Sequence, residues 1–145
     1  MWTIGEVAQK FNLSISALRY YDKEGLLSDV KRENGIRKFD DKDIETIFMI
    51  ECLKKAGMQI KDIKQFLDWV KEGNTTLDKR LKMFENQKVK VEKQIQDMQK
   101  VLDLIKYKCW YYETAVKDGS DEKVKNMKEE DMPAEILKLY KNSHS

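Results

Sequence analysis

Apolar residues first recur at helical spacing in Ile4, Val7, Ala8 and Phe11, which fall at i, i+3, i+4 and i+7 and form one face of a helix. Thr3-Ile4-Gly5-Glu6 reads as a Thr-x-x-Glu capping box, so this helix begins at Thr3. Asn12-Leu13-Ser14 is a short turn, and Ser14 is a good N-cap for a second helix that stops near Gly25. That second helix has unlike sides. Leu18 and Tyr21, with Ala17, face inward, while Ser16, Arg19, Tyr20 and Lys23 face outward.

The next stretch, Ser28 to Phe39, changes period. Asn34-Gly35 is a strong hairpin signal, because both central residues of the favoured tight turn need positive φ. Lys31, Arg32, Arg37 and Lys38 surround the turn. Helical spacing then resumes. Asp40 can cap a third helix with Ile44, Ile47, Phe48, Cys52 and Lys55 down one side, closed by Gly57. A fourth carries Ile60, Ile63, Phe66, Leu67 and Val70 and ends at Gly73. These four helices and the hairpin make a head over residues 1–73.

From residue 74 to 112 the pattern is of another kind. Leu77, Leu81, Phe84, Lys88, Val91, Ile95, Met98, Leu102, Ile105, Cys109 and Tyr112 alternate spacings of four and three without a slip. This is a coiled-coil seam sustained over about five heptads, with Lys88 as its one charged member. Such a stripe implies a partner helix, most simply a second copy of the chain. At ~1.5 Å per residue the helix would extend on the order of 50 Å. The spacing itself leaves parallel and antiparallel pairing open. Residues 113–145 form a short tail. Gly119-Ser120-Asp121 breaks the helix, and Met132-Pro133 opens a last one with Ile136, Leu137 and Tyr140 as its stripe. The tail could fold back on the long helix or on the head of either chain.

Composition narrows the picture only modestly. Of 145 residues, 41% are hydrophobic and 37% charged, which suits a small head joined to a long exposed helix. A net charge of +2 is too small to imply nucleic acid by itself, so that case rests on where the charges sit. The two cysteines, Cys52 and Cys109, make no disulfide framework. The N-terminus has no signal-peptide pattern, and no apolar run approaches the ~20 residues needed to span a bilayer. The expectation is a cytoplasmic protein with no membrane partner.

Outward Arg, Tyr, Ser and Lys on one short helix suit a phosphate-lined groove, with cations for the backbone and hydroxyls and a ring for sugars and base edges. A basic hairpin directly after two short, tightly joined helices is a wing able to reach phosphates beside that groove. A solvated helix face and a ribbon kept soluble by its lysines are the alternatives. Together the elements predict a mainly α fold: a winged helix-turn-helix head with a small β-hairpin wing, then a long dimerisation helix. No acid–base pair, nucleophile with a His partner, or Gly-rich phosphate loop is present, which argues against an enzyme, and no cofactor is implied.

Thr3-Ile4-Gly5-Glu6-Val7-Ala8, Leu18-Arg19-Tyr20-Tyr21-Asp22, Gly25-Leu26-Leu27, Gly35-Ile36-Arg37-Lys38-Phe39 and Gly57-Met58-Gln59-Ile60-Lys61-Asp62-Ile63 occur in an order that resembles the MerR family of bacterial transcriptional regulators. Ile36 stands where many relatives have a tyrosine. The resemblance implies a homodimer with an antiparallel coiled coil, for which the spacing supplies the seam Leu77, Leu81, Phe84, Val91, Ile95, Met98, Leu102 and Ile105. It further implies binding to an inverted repeat in an overlong promoter spacer, and a twist of the double-stranded DNA that lets RNA polymerase engage both promoter elements. Arg19, Tyr20, Arg37, Ser16 and Lys38 would contact DNA, and Ser14 and Lys23 complete the candidate set.

Metal-sensing members carry a cysteine at the start of the long helix and more in a loop beyond it. Here Thr75, Thr76 and Leu77 occupy that start, only Cys109 lies past it, and His144 is near the end. Zinc wants about four ligands, so no metal site is expected. Drug-sensing members use a large C-terminal pocket domain, for which the tail is too short. The single cysteine at 52 and the Lys108-Cys109-Trp110-Tyr111-Tyr112 ending look like the branch that responds to aldehydes and other electrophiles. Lys54, Lys55 and Lys31 or Arg32 are cations that would favour a Cys52 thiolate, whereas a cysteine on an apolar helix face is otherwise a small core residue. Cys109, at a seam position, reads as packing first and as a redox group second. A metal-responsive regulator of the same family, a DNA-architectural protein and a coiled-coil adaptor remain the other readings.

Overall fold

The Thr3 capping box forms on both sides: the Glu6 amide donates to Thr3 Oγ1 at 3.2 Å, and the Thr3 amide donates to Glu6 Oε1 at 3.0 Å. In this computed structural model, which describes residues 1–145, it starts α1 at Ile4–Phe11. Asn12, in the left-handed conformation at φ 54°, ends α1 and turns the chain into α2, Ile15–Lys23. The remaining elements are β1 (Lys31–Glu33), β2 (Ile36–Lys38), α3 (Asp41–Lys55), α4 (Ile60–Glu72), a 3-10 turn at Asn74–Thr76, α5 (Leu77–Asp118), α6 (Glu122–Lys125), a second 3-10 turn at Glu129–Asp131 and α7 (Ala134–Ser143). The mainly helical fold with one antiparallel hairpin matches the expected architecture. No helix is long and apolar enough to cross a membrane.

The chain divides into two compact units, Met1–Gln87 and Lys88–Ser145. The core of the first holds Val7, Leu18, Phe39, Ile47, Ile50 and Ile63, all at 0% exposure, together with Tyr21, Leu26 and Leu27. Asp40 caps α3 through a second reciprocal box with Asp43, at 2.9 Å in each direction. Trp2 bridges to Phe39, each amide donating to the other's carbonyl at 2.8 Å, which pins the N-terminus to the end of the wing.

The buried side of α3 differs from the stripe expected of it. Ile47, Ile50 and Leu53 face the core, whereas Phe48 is 57% exposed and Cys52 and Lys55 also lie outside. This helix has apolar residues almost all round, so two stripes competed from Ile47 onward. The stripe without a charged residue is the one that buries, since a lysine amine in the core would lose its hydration. Cys52 is therefore not a core residue.

Where α4 meets α5, Thr76 is 2% exposed, and its hydroxyl lies 2.5 Å from the Trp69 carbonyl and 2.8 Å from that of Gly73. Arg80 donates to Thr76 Oγ1 at 3.1 Å and to the Gly73 carbonyl at 2.9 Å. Phe84 meets Phe66 edge-on with centroids 5.1 Å apart, and the buried Gln87 amide donates to the Ala56 carbonyl at 2.9 Å, capping the end of α3. The first turns of α5 thus pack with the preceding helices.

In the second unit the tail folds back on the long helix of its own chain. Tyr107, Ala115, Val124 and Ile136 are buried there, and the Tyr107 and Tyr140 rings meet at a 57° tilt with centroids 5.1 Å apart. The Tyr111 hydroxyl donates to Asp121 at 3.1 Å. The opposite face of α5 stays open. Ile95, Met98, Leu102, Ile105 and Tyr112 are all exposed, as are Leu77, Leu81 and Phe84 nearer its start, and Val91 is half-buried.

Candidate nucleic-acid interface

Alpha-helix α2 presents Ser16, Arg19, Tyr20 and Lys23 to solvent, because Leu18 and Tyr21 are drawn into the core from its other side. Ser14 Oγ accepts from the Ala17 amide at 3.0 Å, so its cap role leaves the hydroxyl hydrogen free to donate outward. Tyr20 is 49% exposed, with its ring centroid 6.3 Å from that of Tyr21.

Tyr21 fixes the helix against α3. Its hydroxyl donates to Glu51 Oε1 at 2.8 Å and accepts from Lys54 Nζ, whose ammonium also sits 4.9 Å from the ring centroid. Burial holds the phenol pKa above its ordinary value, and the hydrogen bond to Tyr21 holds that of Lys54 up. The paired tyrosines therefore divide: Tyr20 faces outward and Tyr21 holds the helix in place.

The wing is shaped by Asn34 at φ 51° and Gly35 at φ 78°, which close the hairpin and set Arg32 opposite Arg37 and Lys31 opposite Lys38. Two like-charged pairs facing across a short ladder repel one another. The compensation comes from α2. Asp22 Oδ2 accepts from Arg32 at 3.0 Å, from Arg37 Nε at 2.8 Å, and from the Arg37 terminal nitrogen at 2.7 Å. Arg37 and Lys38 are half-buried and Arg32 is exposed. Thus Ser14, Ser16, Arg19, Tyr20 and Lys23 share one helix, with Arg37 and Lys38 brought alongside through Asp22. Sequence reading missed Asp22; the only trace was an acid among many bases, since its partners lie ten and fifteen residues away.

Cys52 and Cys109 are both exposed and unpaired, and they fall in different compact units. Lys54, expected beside Cys52, is engaged with Tyr21 and Glu51. No group of three His, Cys, Asp or Glu side chains is placed to hold a metal ion.

An outward polar helix, set by a tight turn and flanked by a basic two-stranded wing, defines a winged helix-turn-helix DNA-binding protein. Residues 2–69 match the profile of the MerR HTH family regulatory protein, and residues 44–106 match that of MerR, DNA binding. An HTH-type transcriptional regulator of Haemophilus influenzae is 43% identical over 120 residues, covering 82% of this chain and 89% of that one. The chain belongs to the MerR family of DNA-binding transcriptional regulators. Among solved structures, HiNmlR, a MerR family regulator lacking the sensor domain and bound to promoter DNA, superposes with a TM-score of 0.77. It is 42% identical and covers 83% of this chain and 97% of that one. A MerR family regulator from Bacillus thuringiensis gives a TM-score of 0.69 at 44% identity, covering 74% of this chain and 96% of that one.

Proposed function

We propose that this regulator works as a homodimer that binds an inverted repeat within a promoter spacer and distorts the DNA, so that RNA polymerase engages both promoter elements. Electrophiles such as aldehydes switch it through Cys52. The observation that carries the DNA-reading part is the outward Ser16, Arg19, Tyr20 and Lys23 face of α2 with the basic wing tied beside it through Asp22. Ser14 and Lys38 complete the contact set, and Arg37 borders it from the wing, held on Asp22. The presence of promoter DNA in the HiNmlR structure supports the same reading.

Dimerisation follows from the open stripe of α5. Ile95 is 63% exposed and Met98 66%, too much contiguous apolar surface to leave in water, and the tail covers the other face of the helix. A second copy supplies the matching seam as an antiparallel coiled coil. Two heads at a fixed separation can impose a deformation whose cost depends on sequence. Cys52 fits a sensing role because its thiol is exposed on α3, the helix to which Tyr21 anchors the DNA-reading α2.

Footprinting on the region upstream of its own gene, with and without a thiol-reactive aldehyde, tests the whole scheme. The expected result is protection of an inverted repeat, with a change in reactivity at its centre on adding aldehyde. Full aldehyde induction in a Cys52→Ala variant would overturn the sensing step, and loss of induction in Cys109→Ala alone would move it to that thiol.

A further inference from the structure

Asp22 is one carboxylate between two guanidinium groups, and the two are not held alike. Arg37 brings two nitrogens to Oδ2, at 2.8 and 2.7 Å, and its side chain is 21% exposed. Arg32 brings one, at 3.0 Å, and is 52% exposed. The carboxylate itself cannot drift, because it follows Tyr21, which is buried and hydrogen-bonded to α3, by one residue. Across the hairpin the two arginines are direct ladder partners, so without Asp22 their charges would push the strands apart.

We propose that Asp22 is a positioning residue that sets the wing against the DNA-reading helix and divides the labour of its arginines. Arg37 stays on the carboxylate as a strut, and Arg32 transfers from it to a DNA phosphate. The trio carries one net positive charge. When Arg32 leaves, a neutral Arg37–Asp22 pair remains and that charge goes to the phosphate. Releasing Arg32 costs least, since it gives up a single, longer, more solvated hydrogen bond while Arg37 would give up two. Arg32 is therefore the wing's mobile phosphate ligand, and Arg37 acts on DNA chiefly by fixing where the wing stands.

Salt dependence separates the two roles, because each phosphate neutralised contributes a slope of about −0.9 in log affinity against log salt. The full-length protein is titrated on a random-sequence duplex and on a duplex selected by the wild-type protein from a random pool. Arg32→Gln should flatten the slope by about 0.9 per protomer on both duplexes, with a wild-type melting curve since this side chain is exposed. Arg37→Gln should keep the slope on random DNA but lower the ratio of selected to random affinity, with faster hydrogen exchange at the wing amides. Asp22→Asn frees both arginines, so it should steepen the slope on random DNA while the selected-to-random ratio falls. A wild-type slope in Arg32→Gln, or an equal flattening in Arg37→Gln, overturns the proposal, as does an unchanged slope and ratio in Asp22→Asn.

Discussion

Replacing Tyr21 by Phe isolates what the hydroxyl does for the seating of α2. The ring stays: Tyr21 is 1% exposed among apolar neighbours, and the Lys54 ammonium keeps its place over the ring face. What is lost is the 2.8 Å hydrogen bond to Glu51 and the one accepted from Lys54. Hydrogen bonds to charged groups are worth about 1.5–3 kcal/mol when the partner is left stranded. Here neither partner is stranded, since the Glu51 and Lys54 side chains are 24% and 37% exposed and lie 3.7 Å from each other. Recovered hydration and mutual pairing lower the expected loss to about 1–2 kcal/mol. Tyr21→Ala adds a cavity under α2 and should cost about 3–5 kcal/mol.

Urea unfolding at one fixed protein concentration measures both, because association makes apparent stability depend on concentration. Tyr21→Phe should lower the midpoint by on the order of 1 M with the slope unchanged. Its salt dependence on DNA should match wild type, since the hydroxyl points at α3 and not at the groove. A Tyr21→Phe protein as stable as wild type would refute the role given to the hydroxyl. One as unstable as Tyr21→Ala would refute the solvent recovery assigned to Glu51 and Lys54.

The Thr3 amide and hydroxyl hold the Glu6 carboxyl pKa below its usual 4.5, so this group adds stability that is present above 4.5 and is lost as pH falls through the depressed folded value. Wild type should accordingly exceed Glu6→Gln in urea midpoint at neutral pH, with the difference shrinking as pH falls below 4.5. Arg19→Gln should weaken binding to any duplex and flatten the salt slope by about 0.9 per protomer, checked by fluorescence anisotropy across a salt series. Ile95→Asp, at a position 63% exposed in the single chain, should leave the helical content of the monomer intact but abolish dimers in sedimentation velocity.

Local chemistry was readable in the sequence where a few neighbouring residues decide the outcome. The Thr3 and Ser14 caps, the Asn34-Gly35 turn and the glycine ends at Gly25, Gly57 and Gly73 each depend on backbone geometry within a few residues, and each is where the pattern put it. The buried side of α3 was not readable in the same way. Its apolar residues surround the helix, and only the neighbours Leu18, Tyr21 and Ile63 select Ile47, Ile50 and Leu53. The Asp22 clamp and the Tyr21–Glu51–Lys54 network join side chains ten to thirty-three residues apart, a distance over which charge pairing leaves no periodic trace. The tail's docking on its own long helix was likewise open, because Tyr107 and Tyr140 meet only once the chain has reversed at Gly119.

Gly25 and Gly35 share positive φ, at 84° and 78°, yet they stand under different constraint as the gene drifts. A methyl group at position 35 would meet nothing within 4 Å, so a residue that tolerates the left-handed region, Asn above all, can settle there. At position 25 the same methyl would lie 2.8 Å from Lys64 Cε, and moving that side chain disturbs its 3.1 Å ion pair with Asp68. At both sites the left-handed backbone is the main barrier, and at position 25 the flexible, half-exposed Lys64 side chain must also shift. The turn at the wing tip can therefore take Asn at a cost set by its backbone alone, whereas the turn that ends α2 also asks a neighbouring lysine to move.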